Sequence, residues 1–324
     1  MKSSAACSGL ALCTTILILV SGHAFAQNFP DRPIRVIVPF PAGAIDTLTR
    51  TIAQRLSEVW GQQLVVDNRP GASATIGSAI VAKATPDGYT WLMATFNHGA
   101  NATLYRRLPY DTLKDFQPVT LVATAPVVLL VHPAVPAKSV QEFVSLAKAK
   151  PGKLNFASAG NGSTTHLAGE MFKSLAGIEL VHIPYKGSAP SIAELLGGHV
   201  PMAFDPLPSS IAHIKAGKLR ALAVGSAKRS SSMSDLPTIV EAGVPGYEVN
   251  WWGSVLLPAG TPKKIVELLH VEIVKTLQVP EIRDRFSTLG YELVGSTTVQ
   301  CKRFIENEVA KWGKIIRRAN IRAD

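Results

Sequence analysis

Two loops hold the residue types and spacings that could do chemistry. The first is Pro39-Phe40-Pro41-Ala42-Gly43-Ala44-Ile45-Asp46-Thr47, which joins an apolar run to a helical pattern. Pro and Gly shape a tight turn there. The amides that follow sit at a helix N-terminus, where free N–H groups and the positive dipole end suit a carboxylate. Phe40, Ala42, Gly43, Ala44, Asp46 and Thr47 are its candidate ligand residues; Asp46 reads equally well as the N-cap of the helix. The second loop is Ser158-Ala159-Gly160-Asn161-Gly162-Ser163-Thr164-Thr165-His166. Gly160 and Gly162 let backbone approach a ligand closely, and Ser163 and Thr164 offer hydroxyls beside free amides. Ser158, Gly160, Gly162, Ser163, Thr164 and His166 are therefore candidates, although the same pattern serves as a helix-capping loop that binds nothing. No Lys follows the glycines, so this is not a P-loop.

Ser163 and His166 stand three apart on a helix and can touch, which is the nucleophile-and-base reading of a secreted hydrolase. Against it, Ser163 lies outside any G-x-S-x-G elbow and the sequence places no acid to orient His166. Tyr185 and Lys186 follow one strand-like run and Asp205 follows another, so all three could face a cleft. Lys186 would attract an anion or sit solvated; Asp205 would hold a loop or cap the next helix. Asn97 is a weaker candidate of the same kind, as is His98. The histidines are dispersed and no HExxH occurs, so neither metal nor cofactor is expected.

These loops need elements to hold them. Ile34–Val38 reads as a buried strand, and Leu48, Ile52, Leu56 and Val59 recur at helical spacing before Gly61. Further strands are expected at 64–66, 89–93, 127–131, 154–157, 180–183, 201–204 and 219–224, with helices at 76–84, 139–149, 164–176, 262–277 and 298–318. Strands alternating with helices predict an α/β fold of parallel sheets with helices on both faces and a ligand at the carboxyl ends of the strands. The chain is expected to cross between two domains near 125–128 and 247–252, beside Pro126 and Pro245-Gly246.

The N-terminus sets the compartment. Lys2, the apolar run Leu10–Val20 and Ala24-Phe25-Ala26 read as a secretory signal peptide with cleavage after Ala26. Lipid attachment at Cys13 is disfavoured because Leu12 is bulky and most of the apolar run follows the Cys. Cys7 and Cys13 leave with the leader, and Cys301 remains as a lone thiol. The 324-residue chain has a formal net charge of +10, but the basic residues are scattered without interleaved aromatics, which argues against nucleic acid.

Beyond single motifs, an ordered series of segments resembles the Bug family of periplasmic solute-binding receptors, which belong to tripartite tricarboxylate transporters. The series runs through Pro30–Gly43, Val66–Ala72, Pro86–Thr90, Ser158–Ser163 with His166–Glu170, His182–Gly187, Leu236–Thr238, Gly243–Tyr247 and Pro258–Pro262. The resemblance implies a two-domain type II periplasmic-binding-protein fold, with domain 1 formed by 27–126 and 250–324 and domain 2 by 127–249. It also implies that loops 42–47 and 160–164 grip carboxylate oxygens from opposite sides. Two departures stand out: Ala44 replaces a second glycine of the first loop, and Gly71-Ala72-Ser73-Ala74 is poorer in glycine than its counterparts. Ala44 would be uncomfortable at a positive φ.

The expected function is capture of a small carboxylated solute, which could be an amino acid, a di- or tricarboxylate or an aromatic acid, and its delivery to membrane subunits of a transporter. The protein is expected to be a periplasmic monomer and not an enzyme. The alternatives are a ligand-presenting subunit of a membrane sensor and the Ser163/His166 hydrolase.

Overall fold

A computed structural model describes residues 29–318 and 320–323. The leader, its cleavage point, Cys7 and Cys13 lie outside the described residues. The chain opens with β1 (Ile34–Val38), α1 (Ala44–Trp60), β2 (Leu64–Asn68), a short 3₁₀ turn at Ala72–Ala74, α2 (Thr75–Ala82), β3 (Thr90–Thr95) and α3 (Phe96–Leu104). It continues through β4 (Phe116–Val131), α4 (Val140–Ala149), β5 (Asn155–Ser158), α5 (Thr164–Ala176), β6 (Val181–Pro184), α6 (Ser188–Leu196), β7 (Met202–Pro206), α7 (Leu207–Lys215) and β8 (Arg220–Val224). The last part holds β9 (Asn250–Pro258), α8 (Lys263–Leu277), α9 (Pro280–Thr288), β10 (Glu292–Leu293) and α10 (Thr298–Arg318).

The strands form two sheets that share β4. The first has the order β2-β1-β3-β9-β4-β10; the second has the order β8-β4-β7-β5-β6. Within the first, β1, β2 and β3 are parallel; within the second, β5, β6 and β7 are parallel. The sheets are thus mixed and not purely parallel as expected, because β4 and β9 run against their neighbours. The first part of β4, up to Pro126, pairs with β9, while Val127–Val131 pairs with β7 and β8. A second crossing lies alongside: Gly225 N donates to Val127 O (2.6 Å) and Val249 N to Gly225 O (2.8 Å).

Each parallel strand feeds a helix that buries its apolar stripe on the sheet. In α1, Leu48, Ile52 and Leu56 are buried, in one cluster with Val36 and Val38 of β1. Val59, the next position of that pattern, is half exposed. The other face of the first sheet is closed by α10, whose Glu308 is buried. Its Oε2 accepts the indole N–H groups of Trp252 and Trp312, both at 2.9 Å. One carboxylate thereby satisfies two buried donors that would otherwise be costly, and it ties α10 to β9. Cys301 is buried on the same helix, 3.1 Å from Ser254 Oγ, and burial pushes its thiol pKa up to about 11.

Candidate functional site

The first loop leaves its helix-start amides without an intrahelical partner. Gly43, not Asp46, is the N-cap of α1; it has no side chain to fold back on the first turn, and no side-chain bond caps it. Thr47 N bonds Gly43 O (2.9 Å), which leaves the amides of Ala44, Ile45 and Asp46 ahead of the first helical bond. Asp46 is the third helical residue, buried, with Oδ2 on Arg50 Nε (2.9 Å) and Oδ1 without a partner. Arg50 Nη2 in turn donates to Asn68 Oδ1 (2.9 Å), and Asn68 Nδ2 to Phe40 O (3.0 Å), so a chain of side chains fixes the turn. Ala44 is not among the residues with positive φ; it simply opens the helix. Ala42, Gly43, Ala44 and Thr47 are exposed and Phe40 is half-buried.

Backbone strain falls on the neighbouring turn instead. Ala72, Ser73 and Ala74 have φ of 44°, 51° and 76°, a left-handed run that L-residues seldom adopt. Asn101 Nδ2 holds it by donating to Ser73 O at 2.7 Å.

The second loop consumes most of its own amides. Gly160 N donates to Ser158 Oγ (3.1 Å), Ala159 N to Thr165 Oγ1 (2.8 Å), Gly162 N to His166 Nδ1 (3.0 Å) and Ser163 N to Gly160 O (3.1 Å). Ser163 is the N-cap of α5, its Oγ accepting from His166 N at 3.2 Å. Among the described residues, the amides of Asn161, Thr164 and Thr165 have no such partner. Gly160 and Gly162, with φ of 121° and 71°, shape the loop. Gly162 also has no space for a side chain, since an added Cβ would lie 2.7 Å from Leu104 Cδ1. That contact brings the loop of the second sheet against the end of α3.

His166 helps build this loop. Its Nδ1 accepts an amide, so in the unprotonated state the proton sits on Nε2, 4.0 Å from Glu170 Oε1. Its ring stacks on His182 at 3.8 Å between centroids, and His182 Nε2 lies 2.5 Å from Ser158 Oγ. Burial lowers both imidazoles to about 4, helped for His166 by Lys173 and for His182 by its neighbour His166. Ser163 Oγ bonds the backbone of His166 and the Thr165 hydroxyl, so the nucleophile-and-base pair is not assembled.

The remaining candidates scatter. Asp205 lies within β7, paired in register with Val128, and does not cap α7, whose N-cap is Pro206. It is 1% exposed with Oδ2 unpartnered. Lys186 is exposed, and Tyr185 is partly exposed with its hydroxyl 3.5 Å from Glu194 Oε2. Asn97 and His98 are buried in α3; His98 Nε2 is 3.1 Å from Thr112 O, away from the loops. Sequence reasoning missed Thr95, the N-cap of α3, whose buried Oγ1 has no partner at the carboxyl end of β3. It also missed Thr165 and His182 as loop braces; Thr165 was at least inside the motif, whereas nothing in the spacing marks Thr95.

Residues 48–321 match the family described as tripartite tricarboxylate transporter family receptor. The chain belongs to this receptor family. The receptor is 37% identical over 295 residues to Protein BugT of Bordetella pertussis, covering 90% of each chain. Among solved structures, Rpa4515 of R. palustris with adipate superposes with a TM-score of 0.85 at 40% identity, covering 91% of the receptor and 99% of that chain. MatC (Rpa3494) from Rhodopseudomonas palustris with bound malate gives a TM-score of 0.81 at 31% identity, covering 89% and 100%. The receptor therefore has the α/β periplasmic solute-binding-protein fold, and its function is solute binding.

Proposed function

We propose that the receptor captures a small carboxylated solute between the carboxyl edges of its two sheets and delivers it to the membrane subunits of a tripartite tricarboxylate transporter. The observation that carries this reading is the pair of uncommitted helix starts, one from each sheet. The first-turn amides of α1 stand behind a glycine cap. Those of Thr164 and Thr165 stand behind a loop most of whose other amides are spent internally. Oriented N–H groups and two positive dipole ends hold an anion without a formal counter-charge. The proposed lobes are 27–126 with 250–324, and 127–249, meeting where β4 and the Gly225–Val249 return change sheets. The work is done in the periplasm and without catalysis; the Ser163 hydroxyl is engaged as a helix cap rather than poised by a base. That Rpa4515 and MatC hold adipate and malate supports a carboxylate as the ligand class.

The test is a melting screen of the mature protein against mono-, di- and tricarboxylates, amino acids and aromatic acids. A ligand at 100 times its dissociation constant adds about 2.7 kcal/mol, which appears as a shift of a few degrees. A broad panel at millimolar concentration without any shift sinks the reading.

A further inference from the structure

Asp205 is an acid in an uncommon position. It is buried at the carboxyl end of β7, the strand that lies between β4 and β5 in the second sheet. Its register partner Val128 comes just after the point where β4 changes sheets. The next two strands of that sheet end at Ser158 and Pro184, and the candidate ligand loops follow them. No ion pair with Asp205 occurs among the described residues, and Oδ2 has no hydrogen-bond partner. The groups that face it from the packed elements are hydroxyls, Ser188 at the start of α6 and Ser209 in the first turn of α7. The charged or titratable groups of those elements are engaged or placed elsewhere. Glu194 of α6 bonds His199, His182 of β6 meets Ser158, Glu170 of α5 bonds Lys173 while His166 holds Gly162 N, and His213 and Lys215 lie in the last turn of α7. Lys186, before α6, is exposed.

A buried carboxylate without a cation is unfavourable. An anionic ligand held at the carboxyl ends of these strands, as proposed above, adds repulsion to the desolvation cost. We propose, building on the carboxylate-binding reading above, that Asp205 takes up a proton when the ligand is captured and donates it from Oδ2 to a second acidic group of the ligand. The geometry thereby selects small di- or polycarboxylates over amino acids, whose ammonium would want Asp205 ionised. Burial already pushes the Asp205 carboxyl up to about 7 in the free protein. At pH 8 the free protein is mostly ionised there, so uptake is measurable.

The experiment is calorimetric titration of the mature protein at pH 8 in phosphate and in Tris. The probes are succinate, malate, adipate and citrate, with aspartate and glutamate as the ammonium-bearing arm. The dependence of the heat on buffer ionisation counts protons. The expected result is net uptake of about one proton per bound di- or tricarboxylate, with affinity falling about tenfold per pH unit above 7. In Asp205→Asn the uptake and the pH dependence should vanish, while dicarboxylate binding at pH 8 stays equal or tighter because the amide still donates. Dicarboxylate binding by the wild type without proton uptake overturns the inference and leaves the receptor reading intact, and needs no variant to fold. Uptake that persists in Asp205→Asn overturns it too, as does preferential binding of aspartate or glutamate that Asp205→Asn abolishes. Binding of none of these acids, nor of any in the melting screen, overturns the receptor reading and this inference together.

Discussion

Ser163→Asp is the sharpest probe of the amide grip. Ser163 caps α5 and stands immediately before the uncommitted amides of Thr164 and Thr165. An Asp there is as good an N-cap as Ser, so the fold should hold. Its carboxylate, however, would occupy the space and the dipole end that the proposed grip offers the ligand anion. Two unit charges about 4 Å apart at an effective dielectric of about 20 repel by about 4 kcal/mol. With about 1.4 kcal/mol per decade, that predicts close to a thousandfold loss of affinity. Ser163→Ala separates the two roles. It removes the cap and costs about 1 kcal/mol of stability, but it leaves the Thr164 and Thr165 amides in place, so affinity should fall by less than tenfold. Calorimetric titration with the acid that gives the largest melting shift, together with thermal unfolding of the ligand-free variants, measures both quantities. Wild-type affinity in Ser163→Asp would falsify the amide-grip argument, since the loop would then be a helix cap and nothing more.

Glu308→Ala should destabilise the receptor by about 2–6 kcal/mol, about 1–3 for each of the stranded Trp252 and Trp312 indole donors; Glu308→Gln, which keeps an acceptor oxygen, should lose much less in denaturant titrations. Gly169→Ala should cost about 1–3 kcal/mol, since the added Cβ would sit 2.2 Å from Phe156 Cε2; unchanged stability would mean that Phe156 moves freely. The fold holds His98, His166 and His182 neutral down to about 4, whereas the unfolded chain protonates them near 6.5. Their stabilisation is therefore present above pH 6.5 and is lost as pH falls towards 4, a decline that scanning calorimetry would follow. Asp205 has the opposite sign: its raised pKa favours the fold at low pH and that contribution fades as pH rises through about 7. Asp205→Asn should accordingly raise the ligand-free melting temperature at pH 8 more than at pH 5. Cys301 should resist thiol reagents in the native protein and react once denatured, because it is buried and its pKa is pushed up to about 11.

Much of the fold was legible because its periodic elements are bounded by strong punctuation. The helix from Ala44 to Trp60 ends at Gly61, and that from Thr164 to Ala176 ends at Gly177, both glycines in the left-handed conformation. What escaped notice, besides all of β9, was the first part of β4. Pro118 and Pro126 interrupt it, and proline argues against a strand with neighbours on both sides. The ladder shifts register between Pro118 and Thr120, which shows how the chain accommodates one of them. The third helix was missed because Asn97, His98, Gly99 and Asn101 look like loop residues, yet all four are buried. At the candidate site, motif spacing marked both loops but could not tell which amides stay free. That depends on where Ser158, Thr165 and His166 point, a consequence of packing rather than of order in the chain.

A single strand threads both sheets, and this constrains how the molecule can move. Phe116–Pro126 is laced to β9 and Val127–Val131 to β7 and β8. Pulling the sheets apart would sever ladders; turning one against the other only changes the winding of β4. The register shifts between Leu121 and Ala123 and between Leu129 and Leu130 flank the crossing and give that winding somewhere to accumulate. One strand thus serves as the axle between the two sheets, and any turn of one against the other has to be taken up along it.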